Sequence, residues 1–217
     1  MEKMVNMPLL QKAMAFAALK HERQVRKGTT IPYFTHVMEA MEIVSRMTED
    51  EEVRAAAVLH DTLEDTPTTK EELVHFFGER VAGLVAAESE KKRRNLPEDE
   101  TWYFRKQETI DHMRNTETEI RMIALGDKLS NVRAMCRDSL ESKDMFWNKF
   151  NNADPKAQGW YYCNMANAFR EDETIRNMPA FEEFRYLCEK VFDVERDKDG
   201  RMMVGENWPE DPVKPAE

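Results

Sequence analysis

Ala57-Val58-Leu59-His60-Asp61-Thr62-Leu63-Glu64-Asp65 sets an imidazole and three carboxylates directly behind an apolar run, Ala55 to Leu59. On a helix, His60 and Glu64 share a face at i, i+4, and Asp61 and Asp65 share the neighbouring one. Carboxylates are unfavourable in a last helical turn, where the macrodipole is already negative. A bound cation relieves that clash, and adjacent His and Asp suit a divalent ion of the Mn, Fe, Zn or Ni type. Two ligands are too few, so further His or Asp residues set into apolar helical patterns are required. Two stand out: His36 in Tyr33-Phe34-Thr35-His36-Val37, and Asp127 in Ile123-Ala124-Leu125-Gly126-Asp127-Lys128-Leu129. A bare carboxylate in a buried stripe costs several kcal/mol unless it is paired or metal-bound. His36, His60, Asp61 and Asp127 are therefore the expected metal ligands.

With these residues in hand, the chain resembles the HD-domain metal-dependent phosphohydrolases, whose pattern is a His, then His-Asp, then a distant Asp. Within that superfamily it is most similar to the stand-alone alarmone, or (p)ppGpp, hydrolases of the stringent response. Those enzymes remove pyrophosphate from the 3′ position of guanosine tetra- and pentaphosphate. The matching stretches are Gln24 to Gly28, Pro32-Tyr33 with His36, Leu59 to Thr66, Phe77 to Val81 and Gly126 to Arg133, in the family's order over roughly residues 14 to 136. The resemblance implies one divalent metal, manganese, and catalysis by an activated water. It also implies that Glu64 and Asp65 handle and orient that water, and that Asn131 holds a substrate oxygen or the water itself. A buried amide satisfying a backbone group is the other reading of Asn131.

Arg26 and Lys27 precede the helix-breaking Gly28-Thr29-Thr30-Ile31-Pro32. Two cations there either complement a helix C-terminus or hold substrate phosphates, the role that the resemblance implies. Two departures from the family keep other nucleotides open as substrates, such as NADPH or a deoxynucleoside phosphate. Ala134 stands where a threonine is common, and Glu88 to Arg94 replaces a Gly-Val-Thr-Lys type segment. The run Lys91 to Arg94 is either a solvated face or a patch that steers polyphosphate. A nucleotide-binding module without turnover is a third, more distant reading.

The elements that position these residues are expected to be helical throughout: an all-α HD-type bundle of about eight to ten helices. Apolar spacing predicts helices over about Pro8 to Lys27, Tyr33 to Met47 and Glu51 to Leu63. Thr68 and Thr69, three residues before Glu71 and Glu72, read as capping boxes for the next helix, and Gly78 as its C′ residue. Later helices are expected near Glu98, over Glu119 to Cys136 and over Ala180 to Phe192. The expected organisation is a single domain over 1–195, with a core at 8–140 and C-terminal helices at 141–195. A partly disordered tail would occupy 196–217, its Asp197-Lys198-Asp199-Gly200 forming a turn.

The 217 residues, with 34% charged and 15 methionines, suit amphipathic helices around one sizeable core. A net charge of −10 argues against extended nucleic acid as a partner, since neutralising phosphates needs a basic footprint. Cys136, Cys163 and Cys188 are widely spaced with no CxxC, which points to core thiols and a reducing, cytoplasmic setting. No stretch reaches the ~20 apolar residues of a membrane span. The expected partner is a small nucleotide, and the sequence does not specify an oligomeric state.

Overall fold

The chain is described by a computed structural model over residues 6–89 and 98–203. Its elements are α1 (Leu9–Lys20), α2 (Phe34–Ser45), α3 (Glu51–Leu59), α4 (Thr62–Asp65), α5 (Lys70–Glu88), α6 (Glu98–Asn115) and α7 (Thr118–Ser142). A 3-10 stretch follows at Lys143–Lys149, then α8 (Pro155–Arg170), α9 (Glu173–Arg176) and α10 (Pro179–Phe192). Among the described residues there is no strand, only isolated bridges at Val25 with Pro32 and Arg196 with Met202. The all-α expectation is met. The described helices are not long and apolar enough to cross a membrane.

The described residues divide into two compact units, 6–89 with 119–130, and 98–118 with 131–203. In the first, α3 is the central rod and packs against α1, α2 and α5. Val53 and Ala55 to Leu59 are all fully buried, so the C-terminal half of α3 is enclosed on every side while Glu51 stays exposed at its start. Its three consecutive alanines let neighbours approach closely, and Leu59 alone contributes about 1.5–3 kcal/mol through burial. Asp50 caps the start of α3 by accepting from the Glu52 and Val53 amides. Arg80 of α5 then clamps that end, reaching Asp50 at 2.8 Å, Glu52 at 2.7 Å and Glu119 at 2.8 Å.

Two glycines shape the elements around the site. Gly78 breaks α5 with φ 85° and ψ 169°, a conformation that side chains avoid, as expected of a helix-ending glycine. Gly126 of α7 presses on α2: a Cβ there would lie 2.8 Å from Val44 Cγ2 and 2.9 Å from the Ala40 carbonyl oxygen. The absence of that methyl lets α7 bring Asp127 against the helix that carries His36.

Several expected boundaries are corrected. Helix α1 ends at Lys20, not Lys27, because Val25 is 52% exposed and serves a bridge rather than a buried stripe. Residues 24–33 instead fold back on themselves, with Arg26 N donating to Ile31 O (2.7 Å), Tyr33 N to Gln24 O (2.9 Å) and Gly28 at φ 76°. Arg26 and Lys27 therefore sit in a loop and do not cap a helix. Helix α3 ends at Leu59 rather than Leu63, and His60-Asp61 form a turn before the single-turn α4. Of the two capping threonines, Thr69 caps α5, whereas Thr68 is buried and bonded to Thr66.

In the second unit α8 is central, packed by α6, α9 and α10. Tyr161 and Tyr162 are buried there, Tyr161 against Trp102 and Tyr162 against Phe184 and Phe192. Lys149 pairs with Asp138. Asp197 Oδ1 accepts from the Asp199 and Arg201 amides, making the expected turn, and the adjoining Met202 is buried. The basic run Lys91 to Arg94 and the tail from 204 onward lie outside the described residues.

Candidate metal centre

Each of the four side chains named as ligands comes from a position that the first unit's packing holds firmly. His36 is the third residue of α2, His60 and Asp61 form the turn after α3, and Asp127 follows Gly126 on α7. Donor atoms of His36, His60 and Asp127 lie within 4.8 Å of one another, and all three residues are buried. His36 Nε2 is 3.1 Å from Asp127 Oδ1 and 3.5 Å from Asp61 Oδ2. His60 Nε2 is 2.9 Å from Asp61 Oδ2 and 3.7 Å from Asp127 Oδ1.

The end of α3 explains how His60 is aimed. Its Nδ1 lies 2.8 Å from the Ala57 carbonyl oxygen, and the Thr62 hydroxyl donates to the Leu59 carbonyl at 2.6 Å. Side chains thus satisfy carbonyls that a helix terminus leaves without amide donors. A carbonyl only accepts, so Nδ1 carries the proton and the Nε2 lone pair faces the carboxylates. That buried Nε2 lies close to Asp61 yet makes no hydrogen bond. A buried donor atom without a hydrogen-bond partner, beside two carboxylates and a second imidazole, fits a divalent ion.

The electrostatics agree with that fit. A proton competes with a cation for that lone pair: burial by itself would lower the His60 pKa, but the Asp61 and Asp127 carboxylates outweigh it and hold the imidazole well above its ordinary range. Burial likewise pushes Asp61 up, and His60 and His36 reverse this, leaving it well below the usual carboxylate range. Asp127 follows the same pattern, with Lys128 as its main counter-charge. The pocket holds ionised carboxylates and draws positive charge toward them.

Around this cluster lie groups that sequence spacing did not single out. The Tyr33 hydroxyl donates to Asp61 Oδ2 at 2.6 Å. Burial, then the Asp61 charge, raises the phenol pKa, so it stays a donor. Lys128 pairs with Asp127 and lies 3.9 Å from Glu88, whose pKa burial pushes up to about 8. Ser130 lies 2.8 Å from His36 Nδ1. The available signal was polar residues at i, i+3 from a ligand on an apolar helix: Glu39 after His36 and Ser130 after Asp127.

The other expected site residues lie as follows. Glu64 is half-buried and Asp65 exposed, both in α4, and the Asp65 carbonyl accepts from Gln24 Nε2 at 2.6 Å. Arg26 is half-buried, its guanidinium 6.0 Å from the centre of the Tyr33 ring, and Lys27 is exposed. Asn131 follows Asp127 by four residues on α7 and is the first residue of its stretch in the second unit.

The chain is 38% identical over 134 residues to guanosine-3′,5′-bis(diphosphate) 3′-pyrophosphohydrolase MESH1 of Danio rerio, covering 59% of this chain and 70% of that one. It is 32% identical over 137 residues to the GTP pyrophosphokinase rsh of Brucella suis, covering 62% of this chain but only 18% of that longer protein. The solved structure of a metazoan orthologue of SpoT, described as hydrolysing ppGpp and acting in starvation responses, superposes with a TM-score of 0.64 at 25% identity. It covers 85% of this chain and 96% of its own. The HD domain pattern matches residues 13–148, more than half of the sequence and a span that includes all four clustered side chains, and the chain therefore belongs to the HD domain family.

Proposed function

We propose that this chain is a metal-dependent phosphohydrolase that converts guanosine 3′,5′-bis(diphosphate) and water to GDP and pyrophosphate. The observation that carries this reading is the convergence of His36, His60 and Asp127 within 4.8 Å, with Asp61 beside both imidazoles. These four residues would hold one divalent ion, manganese. When bound, such an ion lowers the pKa of water and polarises a phosphoryl oxygen.

The protein's own groups supply the rest. Tyr33 and Lys128 fix the two carboxylates, so that the donor set is organised before substrate arrives. Glu64 and Asp65, on the turn after the ligand pair, take and orient the proton of the attacking water. Arg26 and Lys27, in the exposed loop before α2, offset phosphate charge. The Arg26 guanidinium lies 6.0 Å from the centre of the Tyr33 ring, whose hydroxyl reaches Asp61. Asn131, one helical turn after Asp127, orients a substrate oxygen. The three free cysteines accord with a reducing cytosol.

The test is turnover by metal-stripped protein with manganese added back, on guanosine 3′,5′-bis(diphosphate), NADPH and deoxynucleoside triphosphates in parallel, with products separated by ion exchange. The reading predicts GDP and pyrophosphate as the preferred products. Preference for either of the other substrates replaces the alarmone assignment but keeps the phosphohydrolase one. Tight binding with no turnover on any arm contradicts both.

A further inference from the structure

Two imidazoles face the cluster, and the groups behind them differ. Behind His60 lies a neutral backbone carbonyl. Behind His36 lies a chain that ends on a charge: His36 Nδ1 is 2.8 Å from Ser130 Oγ, and Ser130 Oγ donates to Glu39 Oε2 at 2.8 Å. Both His36 and Ser130 are buried. A serine hydroxyl has one proton, and a carboxylate only accepts. If Ser130 gives its proton to Glu39, it must accept from His36, which places the imidazole proton on Nδ1 and the lone pair on Nε2. That lone pair lies 3.1 Å from Asp127 Oδ1 and 3.5 Å from Asp61 Oδ2.

We propose that Glu39 is a positioning residue for His36, acting through Ser130 to select its metal-binding tautomer and to make that imidazole the more electron-rich of the two ligands. The relay is built from two helices at matched spacing, since Glu39 is three residues after His36 on α2 and Ser130 three after Asp127 on α7. The close approach at Gly126 brings those two faces together. Partners of this kind raise ligand basicity, and their loss typically lowers metal affinity 10–100-fold. The proposal rests on the metal reading above and adds to it two residues and a direction of charge.

The experiment is calorimetric titration of metal-stripped protein with Mn²⁺, on wild type, Ser130→Ala, Glu39→Ala, the double variant and Ser130→Thr. Thermal midpoints of the metal-free forms are measured alongside. The relay predicts that each alanine variant binds Mn²⁺ roughly 10–100-fold more weakly. It also predicts that the double variant is no weaker than Ser130→Ala alone, and that Ser130→Thr binds like wild type. Glu39→Gln, which keeps an acceptor but not the charge, should fall between wild type and Glu39→Ala, and carries the test if Ser130→Ala does not fold. Unchanged affinity in both alanine variants, or losses that simply add in the double variant, overturns the relay while wild-type binding upholds the metal site. No Mn²⁺ binding by wild type overturns both.

Discussion

Among single residues, the proposed function assigns holding the ion and acting on water to different side chains. Asp61 lies between the two imidazoles, so Asp61→Ala should lose metal and activity together, the metal being measured by elemental analysis after gel filtration. Glu64 is one turn further on and is expected to act on water, so Glu64→Ala should keep about one ion per chain yet fall at least ~100-fold in turnover, the usual weight of a general base. An Asp61→Ala protein with full metal content contradicts the ligand assignment. Tyr33→Phe removes one hydrogen bond to a charged acceptor and should cost about 1.5–3 kcal/mol of folding stability in the metal-free protein, read by denaturant titration. The four clustered side chains were legible in the sequence because His36 and Asp127 interrupt apolar helical patterns and His60-Asp61 directly follow one. Ser130, Glu39, Tyr33 and Lys128 were not, because polar residues beside a ligand are read as surface until a second helix is known to face them.

At the scale of elements, Gly126 and Asp50 carry the sharpest expectations. Gly126→Ala places a methyl within 2.9 Å of a backbone oxygen that cannot rotate away. Overpacking of that kind costs about 1–3 kcal/mol. The variant should also weaken Mn²⁺ binding, since α7 must retreat from α2 with Asp127. A Gly126→Ala protein of wild-type stability and affinity shows that the close approach is not needed. Asp50 caps α3 and pairs with Arg80; the Arg80 hydrogen bonds are the largest cause that holds its carboxyl below the ordinary value, and partial burial opposes them. A depressed folded pKa gives stability that is present above the unfolded pKa and is lost as pH falls through the folded one. Asp50→Ala should therefore cost about 1–2 kcal/mol near neutrality, mostly through the lost cap because the ion pair is partly exposed. That deficit should shrink on acidification below the carboxylate range, as followed by denaturant titration at several pH values.

The element boundaries show why some of this was hidden. His60 and Asp61 keep right-handed backbone angles, at φ −53°, ψ −41° and φ −86°, ψ −4°, so no breaker residue announces that α3 has stopped. The cause is the His60 and Thr62 side chains taking α3's carbonyls, which only coordinates reveal. Val25 fitted a helical period by type alone, yet the Gly28 turn folds it into a bridge with Pro32.

At the scale of the whole molecule, apolar spacing over α7 is continuous from Ile120 to Met135, and nothing in that pattern marks Ser130 as the last α7 residue of the first compact unit. A helix that contributes to two units reads as one amphipathic element in sequence. The clustered side chains all fall in the first unit, so a metal held by them should stabilise that unit. With Mn²⁺ at about 100 times its dissociation constant, linkage supplies about 2.7 kcal/mol. For a chain of this length that raises the midpoint by roughly 5–10 °C. Addition of a chelator should reverse the shift in a calorimetric scan, and a midpoint indifferent to both additions contradicts a site formed only in the folded state.

The proposed function requires one ion among His36, His60, Asp61 and Asp127. The most direct measurement is an anomalous difference map at the manganese edge from crystals of the chain grown with Mn²⁺. A single strong peak is expected within bonding distance of His36 Nε2, His60 Nε2 and carboxylate oxygens of Asp61 and Asp127. A peak elsewhere, or none with the four side chains ordered as described, contradicts it.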